Sequence, residues 1–145
     1  MSRDAQNAQN PQNFPQPRSI RPVILSEQEI ASQPDETFPR GEVSWKTLFT
    51  SSRTPTDSLS TGIAVCPAKT GHLCAHRHAQ AEVYYIIQGR GTVKIDGNET
   101  AVQAGSVVFI PGDAEHAIWN LDDEPLQWFY VFPTDAFEDV IYRFS

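Results

Sequence analysis

Apolar and polar residues alternate along most of this chain in short runs instead of recurring every three to four positions. From Glu42 onward, runs rich in Val, Ile, Thr and aromatics are separated by Gly, Pro and Asp-Gly, the pattern of strands on a half-buried surface. The pattern predicts strands over 42–50, 59–66, 72–77, 82–88, 91–96, 99–103, 106–110, 115–121 and 126–132. Gly89-Arg90-Gly91 and Asp96-Gly97-Asn98 tolerate positive φ, so 82–88, 91–96 and 99–103 are expected to form consecutive hairpins. Short strands at this spacing indicate an antiparallel sandwich or barrel, an all-β fold. One helix signal stands out: Ser26-Glu27-Gln28-Glu29 reads as a capping box opening a short helix that stops before Pro34. Residues 134–142 fit either a helical turn or a last edge strand.

Composition changes this picture at the ends. Residues 1–20 are dominated by Gln, Asn and Pro, which cannot bury enough apolar surface to offset the entropy of ordering, so a disordered tail is expected. The chain then divides into that tail, an N-terminal extension over 21–58 with a short helix and an edge strand, a barrel core over 59–133, and a C-terminal extension over 134–145. A chain of 145 residues suits one domain. It buries roughly two-thirds of its unfolded surface, so a metal would serve function and not folding. Eleven Lys and Arg against 18 Asp and Glu give a net charge of -7, which argues against nucleic acid or an anionic membrane as partner. No apolar run approaches the ~18 residues of a spanning helix and no apolar signal core opens the chain, so a cytoplasmic protein is expected. Cys66 and Cys74 read as free thiols. Edge strands and an aromatic sheet face predict a homodimer.

The candidate chemistry lies in His76-Arg77-His78-Ala79-Gln80-Ala81-Glu82 and in His116, forty residues after His76. Residues two apart on a strand share a face, so His76 and His78 aim together, and Glu82 opens the next strand where it can reach them. Three imidazoles and one carboxylate suit Fe(II) first, with Mn, Ni, Cu or Zn as alternatives, and leave about two octahedral positions open. His72 reads as a surface or supporting residue. Arg77, between two ligands, points outward. Trp119, Trp128, Phe129 and Tyr130 read mainly as core.

These residues make the chain resemble a small single-domain cupin, whose first motif has the form G-x5-H-x-H-x3/4-E-x6-G and whose second has the form G-x5-P-x-G-x2-H-x3-N. The first is matched by Gly71, His76, His78, Glu82 and Gly89, with one residue fewer after Gly71; the second by Gly105, Pro111, His116 and Asn120, with Asp113 where glycine is usual. The resemblance covers residues 60–133 and implies a metal-holding jelly-roll barrel. The chain is also similar to the cupin oxidoreductases of fungal polyketide gene clusters, and to cupin lyases that cleave dimethylsulfoniopropionate to acrylate and dimethyl sulfide. In the lyases, tyrosines beside the metal are implicated in abstracting the α-proton; Tyr84 and Tyr142 match them in position and are the implied catalytic residues.

The expected function is a metal-dependent oxidoreductase acting on a small oxygenated, polyketide-derived aromatic metabolite in secondary metabolite biosynthesis. A β-eliminating lyase with Tyr84 as base is the second enzyme reading. A cupin that binds a small molecule without turning it over is the alternative from another class; it would be favoured by a missing ligand, and none is missing. Sugar-phosphate isomerisation would need several cations near the pocket, where only Arg77, Arg90 and Lys94 are at hand.

Overall fold

In the computed structural model, residues 19–145 are described, so most of the expected disordered tail lies outside them. The strands are β1 (Glu36–Thr37), β2 (Ser44–Phe49), β3 (Ser60–Cys66), β4 (His72–Arg77), β5 (Glu82–Gln88), β6 (Arg90–Ile95), β7 (Asn98–Gln103), β8 (Val107–Ile110), β9 (His116–Trp119), β10 (Leu126–Phe132) and β11 (Arg143–Phe144). They form two antiparallel sheets, ordered β1-β2-β3-β10-β5-β8 and β11-β4-β9-β6-β7. The alternation does what the sequence pattern implies: on β10 Leu126, Trp128, Tyr130 and Phe132 are buried between less buried neighbours, and on β5 Glu82, Tyr84 and Ile86 are. The two inner faces meet as one apolar core.

The short helix α1 (Glu27–Ala31) begins as expected. Ser26 Oγ accepts from the Glu29 N–H, and the Glu29 carboxylate accepts from the Ser26 N–H. The C-terminal segment resolves its ambiguity by doing both things: a 3-10 turn over Phe137–Asp139 leads into β11, which pairs with β4. Cys66 and Cys74 are unpaired, and burial pushes the Cys66 thiol up to about 12. Among the described residues, no helix is long and apolar enough to cross a membrane.

One expectation is corrected. β6 and β7 form the hairpin predicted from Asp96-Gly97, but β5 does not pair with β6. A single residue, Gly89, separates them, too short for a hairpin loop; with φ of 83° it turns the chain out of one sheet into the other. β5 pairs instead with β10 and β8. This corner sends β5 along the barrel wall facing the histidines of β4 and β9.

Candidate metal centre

His76 and His116 are cross-strand partners on β4 and β9, and His78 lies just past the end of β4. All three imidazoles are buried. Each is oriented by its own backbone: the Nδ1–H groups donate to the carbonyls of Cys74, Gln80 and Ala114 at 2.7, 2.9 and 2.9 Å. A carbonyl can only accept, so every Nε2 is left with its lone pair facing inward. The three Nε2 atoms lie within 4.8 Å of one another and have no partner. Burial, reinforced by His116, holds the His76 imidazole down to about 3, and so neutral.

Glu82 sits on the opposing sheet. Its Oε1 is buried, accepts no hydrogen bond, and lies 3.3 Å from the Nε2 atoms of both His78 and His116. Lone pairs facing each other in a dry interior are unfavourable unless a cation lies between them. The donor set therefore fits a divalent transition metal, and three buried histidines could hold one. The neighbouring loop is held tightly. Gly112 packs against the Ala79 carbonyl, and the Asp113 N–H donates to His78 O at 2.8 Å. Asp113 has φ of 63°, the left-handed region that accounts for glycine in the usual motif; its carboxylate pairs with Arg143 and its carbonyl accepts from Arg77.

The remaining sequence-derived residues divide cleanly. Arg77 points outward, and His72 is turned away, with Nδ1 2.8 Å from Thr70 O. Asn120 is a fastener, donating to the carbonyls of Pro67 and Glu124 and accepting from the Asp122 N–H. Tyr142 lies against the centre, with ring centroids 4.8 and 5.3 Å from His76 and His78; Tyr84 approaches His116 edge-on at 6.5 Å. Burial, then the negative Glu82 nearby, raises both phenols well above the usual tyrosine value.

Beside the centre is a cavity of about 20 Å³, room for one water-sized group. Its walls include Phe38, Trp45, Tyr84, Tyr130, Phe137 and Tyr142, with Glu82 the one charged group lining it. Three of these escaped the sequence reading. Phe38 and Trp45 come from the N-terminal extension and Phe137 from the C-terminal one, and only the alternation of 44–49 hinted that Trp45 faces inward. Tyr130, read as core, extends over Gly62, where any side chain would collide with its hydroxyl, and that hydroxyl has no hydrogen-bond partner.

The cupin domain profile matches residues 64–132. The dimethylsulfoniopropionate lyase DddW of Ruegeria pomeroyi is 34% identical over 142 residues, 97% of this chain and 89% of that protein. The chain belongs to the cupin family. Among solved cupin structures, the polyketide cyclase RemF of Streptomyces resistomycificus superposes with a TM-score of 0.68 at 15% identity, covering 83% of this chain and 85% of that one. The structure described for the dimethylsulfoniopropionate lyases RdDddP and RnDddQII gives 0.59 at 20% identity, covering 71% and 52%. At these identities the two structures bear on the fold alone. The cupin relatives include enzymes of several chemistries, a lyase among them.

Proposed function

We propose that this cupin is a metal-dependent lyase that carries out β-elimination on a small carboxylate bearing a cationic leaving group, as dimethylsulfoniopropionate does. The observation that carries this reading is the pair of phenols, Tyr84 and Tyr142, set against a buried three-histidine cluster in an aromatic cavity with no cationic side chain. Aromatic faces and the Glu82 carboxylate favour a cation on the substrate and disfavour a phosphate. The similarity to DddW over nearly the whole chain supports the same reading. The oxidoreductase expectation rests on the donor set and on the resemblance to the cupin oxidoreductases of fungal polyketide gene clusters, and no feature of the cavity favours it specifically.

His76, His78, His116 and Glu82 are the residues that would hold the metal. A divalent ion there supplies Lewis acidity toward a carboxylate and a positive charge that opposes the influence of Glu82 on the phenols. Burial keeps the Tyr84 phenol protonated on its own, so its work as base would depend on the positive charge of a bound ion; with that charge in place Tyr84 takes the α-proton, the Cα–Cβ double bond forms as the Cβ–S bond breaks, and the neutral sulfide departs with the electron pair. Tyr142 covers the histidines from the C-terminal extension, orients the substrate and keeps water out. A substrate larger than one water enters only when the cover of Phe38, Phe137 and Tyr142 moves aside. The test is Tyr84→Phe. It should lower kcat for elimination by about 10² to 10⁴ while bound metal and melting temperature stay near the parent values. Unchanged turnover would remove Tyr84 from this role.

A further inference from the structure

Two buried hydrogen-bond donors at the cavity beside the metal centre have no work in the fold. The indole Nε1 of Trp45 and the hydroxyl of Tyr130 belong to residues that line this cavity, and both atoms are shut off from solvent without a partner. Buried polar groups are nearly always paired in native proteins, so two around one water-sized space call for a partner from outside the chain. The strands fix where they stand. Trp45 and Thr47 point inward from β2, and Thr47, Gly62, Tyr130 and Tyr84 are successive cross-strand partners on β2, β3, β10 and β5. The Tyr130 ring crosses Gly62 toward β2: a Cβ at position 62 would lie 2.1 Å from its hydroxyl, so glycine leaves the room for it. The Trp45 ring is held by Phe38 and Phe137, with centroids at 4.3 and 6.0 Å.

Both groups donate. An indole N–H has no lone pair to offer. Burial raises the Tyr130 phenol well above the usual tyrosine value, with the Thr47 side chain opposing part of the rise, so the hydroxyl keeps its proton. Glu82 is the one charged group lining the space, and it belongs to the metal-holding set. Two donors require an acceptor, and negative charge makes it a better one, since charge-assisted hydrogen bonds are about twice as strong as neutral ones. The sulfonium end of the proposed substrate has the wrong polarity for them, and its carboxylate has the right one. We infer that Trp45 and Tyr130 bind the substrate's carboxylate, each donating a hydrogen bond to the oxygen that enters this cavity, and thereby select an acid over its uncharged analogues. The inference rests on the reading of the substrate as a small carboxylate and adds the protein groups that recognise it. It also bears on rate. As the α-proton leaves, negative charge spreads from Cα onto the carboxylate oxygens, and donors already in place in a dry site stabilise it. Tyr84 and Tyr130 are cross-strand neighbours, which sets the base and this donor side by side.

Calorimetric titration of the zinc-loaded full chain with propanoate, which has no leaving group, and with uncharged propanamide tests it. The parent should bind propanoate at least about tenfold more tightly than propanamide. Tyr130→Phe and Trp45→Phe should each weaken propanoate by about 10- to 100-fold, the worth of a hydrogen bond to a charged group, and affect propanamide much less, while bound zinc stays at the parent level. If Trp45→Phe unfolds, 3-benzothienylalanine at position 45 replaces the N–H by sulfur and keeps the shape of the ring. Parent-level propanoate affinity in both variants overturns the inference and leaves the donors to a bound water alone. So does an equal loss for propanoate and propanamide, which would report a change in cavity shape, and so does a parent that binds propanoate no better than propanamide. Propanoate binding that depends on both donors, in a protein that releases no dimethyl sulfide from dimethylsulfoniopropionate, supports the site and counts against the reaction alone.

Discussion

Replacing Gly112 by Ala should weaken metal binding through a contact that touches none of the ligands. An added Cβ would overlap the Ala79 carbonyl oxygen, and restoring an ordinary C···O separation of about 3.3 to 3.6 Å requires one of them to move by about 1 Å. Ala79 follows His78, whose carbonyl is tied to the next residue of the Gly112 loop through the Asp113 N–H, so the displacement falls on a ligand. Metal sites tolerate about 0.2 Å in ligand distance. A shift several times larger should reduce affinity by about 10- to 100-fold, as loss of a supporting contact does. The overpacking should cost about 1 to 3 kcal/mol of stability. Metal titration against a competing chelator reads the first effect, and denaturant unfolding of the metal-free protein reads the second. Parent-level affinity together with parent-level stability would mean that the loop does not hold His78 in place.

Two further outcomes follow from the same interior. In metal-free protein, His76 stays neutral in the folded state down to about 3, while its unfolded form takes a proton near 6.5. The unfolded chain therefore binds more protons between these values, and the stability due to this group is complete above pH 6.5 and lost as the pH falls toward 3. Between pH 7.5 and 5 the parent should lose about 2 kcal/mol more than His76→Gln, measured by urea unfolding in the presence of chelator, and equal losses would show that burial does not depress this imidazole. Tyr130→Phe removes a buried hydroxyl that has no partner, so the melting temperature should not fall, while kcat/KM should drop about tenfold if the hydroxyl meets the substrate. A lower melting temperature with unchanged kinetics would make Tyr130 purely structural.

The strands and their inward faces were legible because alternation on a half-buried sheet leaves a period of two in the sequence. The same regularity put His76 and His78 on one face and brought Tyr84 beside Glu82. What could not be read was pairing at a distance. Nothing local marks Gly89 as a corner between sheets and not a hairpin turn; the difference is that Pro125 and Leu126, far along the chain, pack against it. The aromatic cavity escaped for a similar reason: Phe38, Trp45 and Phe137 come from segments flanking the barrel and meet only after both ends of the chain fold over the same opening. Asp113 was legible as a departure from a glycine position, and the structure adds what the residue does there, adopting the left-handed backbone and pairing with Arg143.

The proposed role of the three-histidine centre with Glu82 is elimination and not oxidation. Its most direct test supplies dimethylsulfoniopropionate to the metal-loaded full chain in the strict absence of dioxygen and measures dimethyl sulfide in the headspace and acrylate in solution. Equal amounts of the two products are expected, at a rate that dioxygen does not change and that chelation abolishes. Consumption of substrate only when dioxygen is present, or no sulfide release from a fully metal-loaded protein, would contradict it.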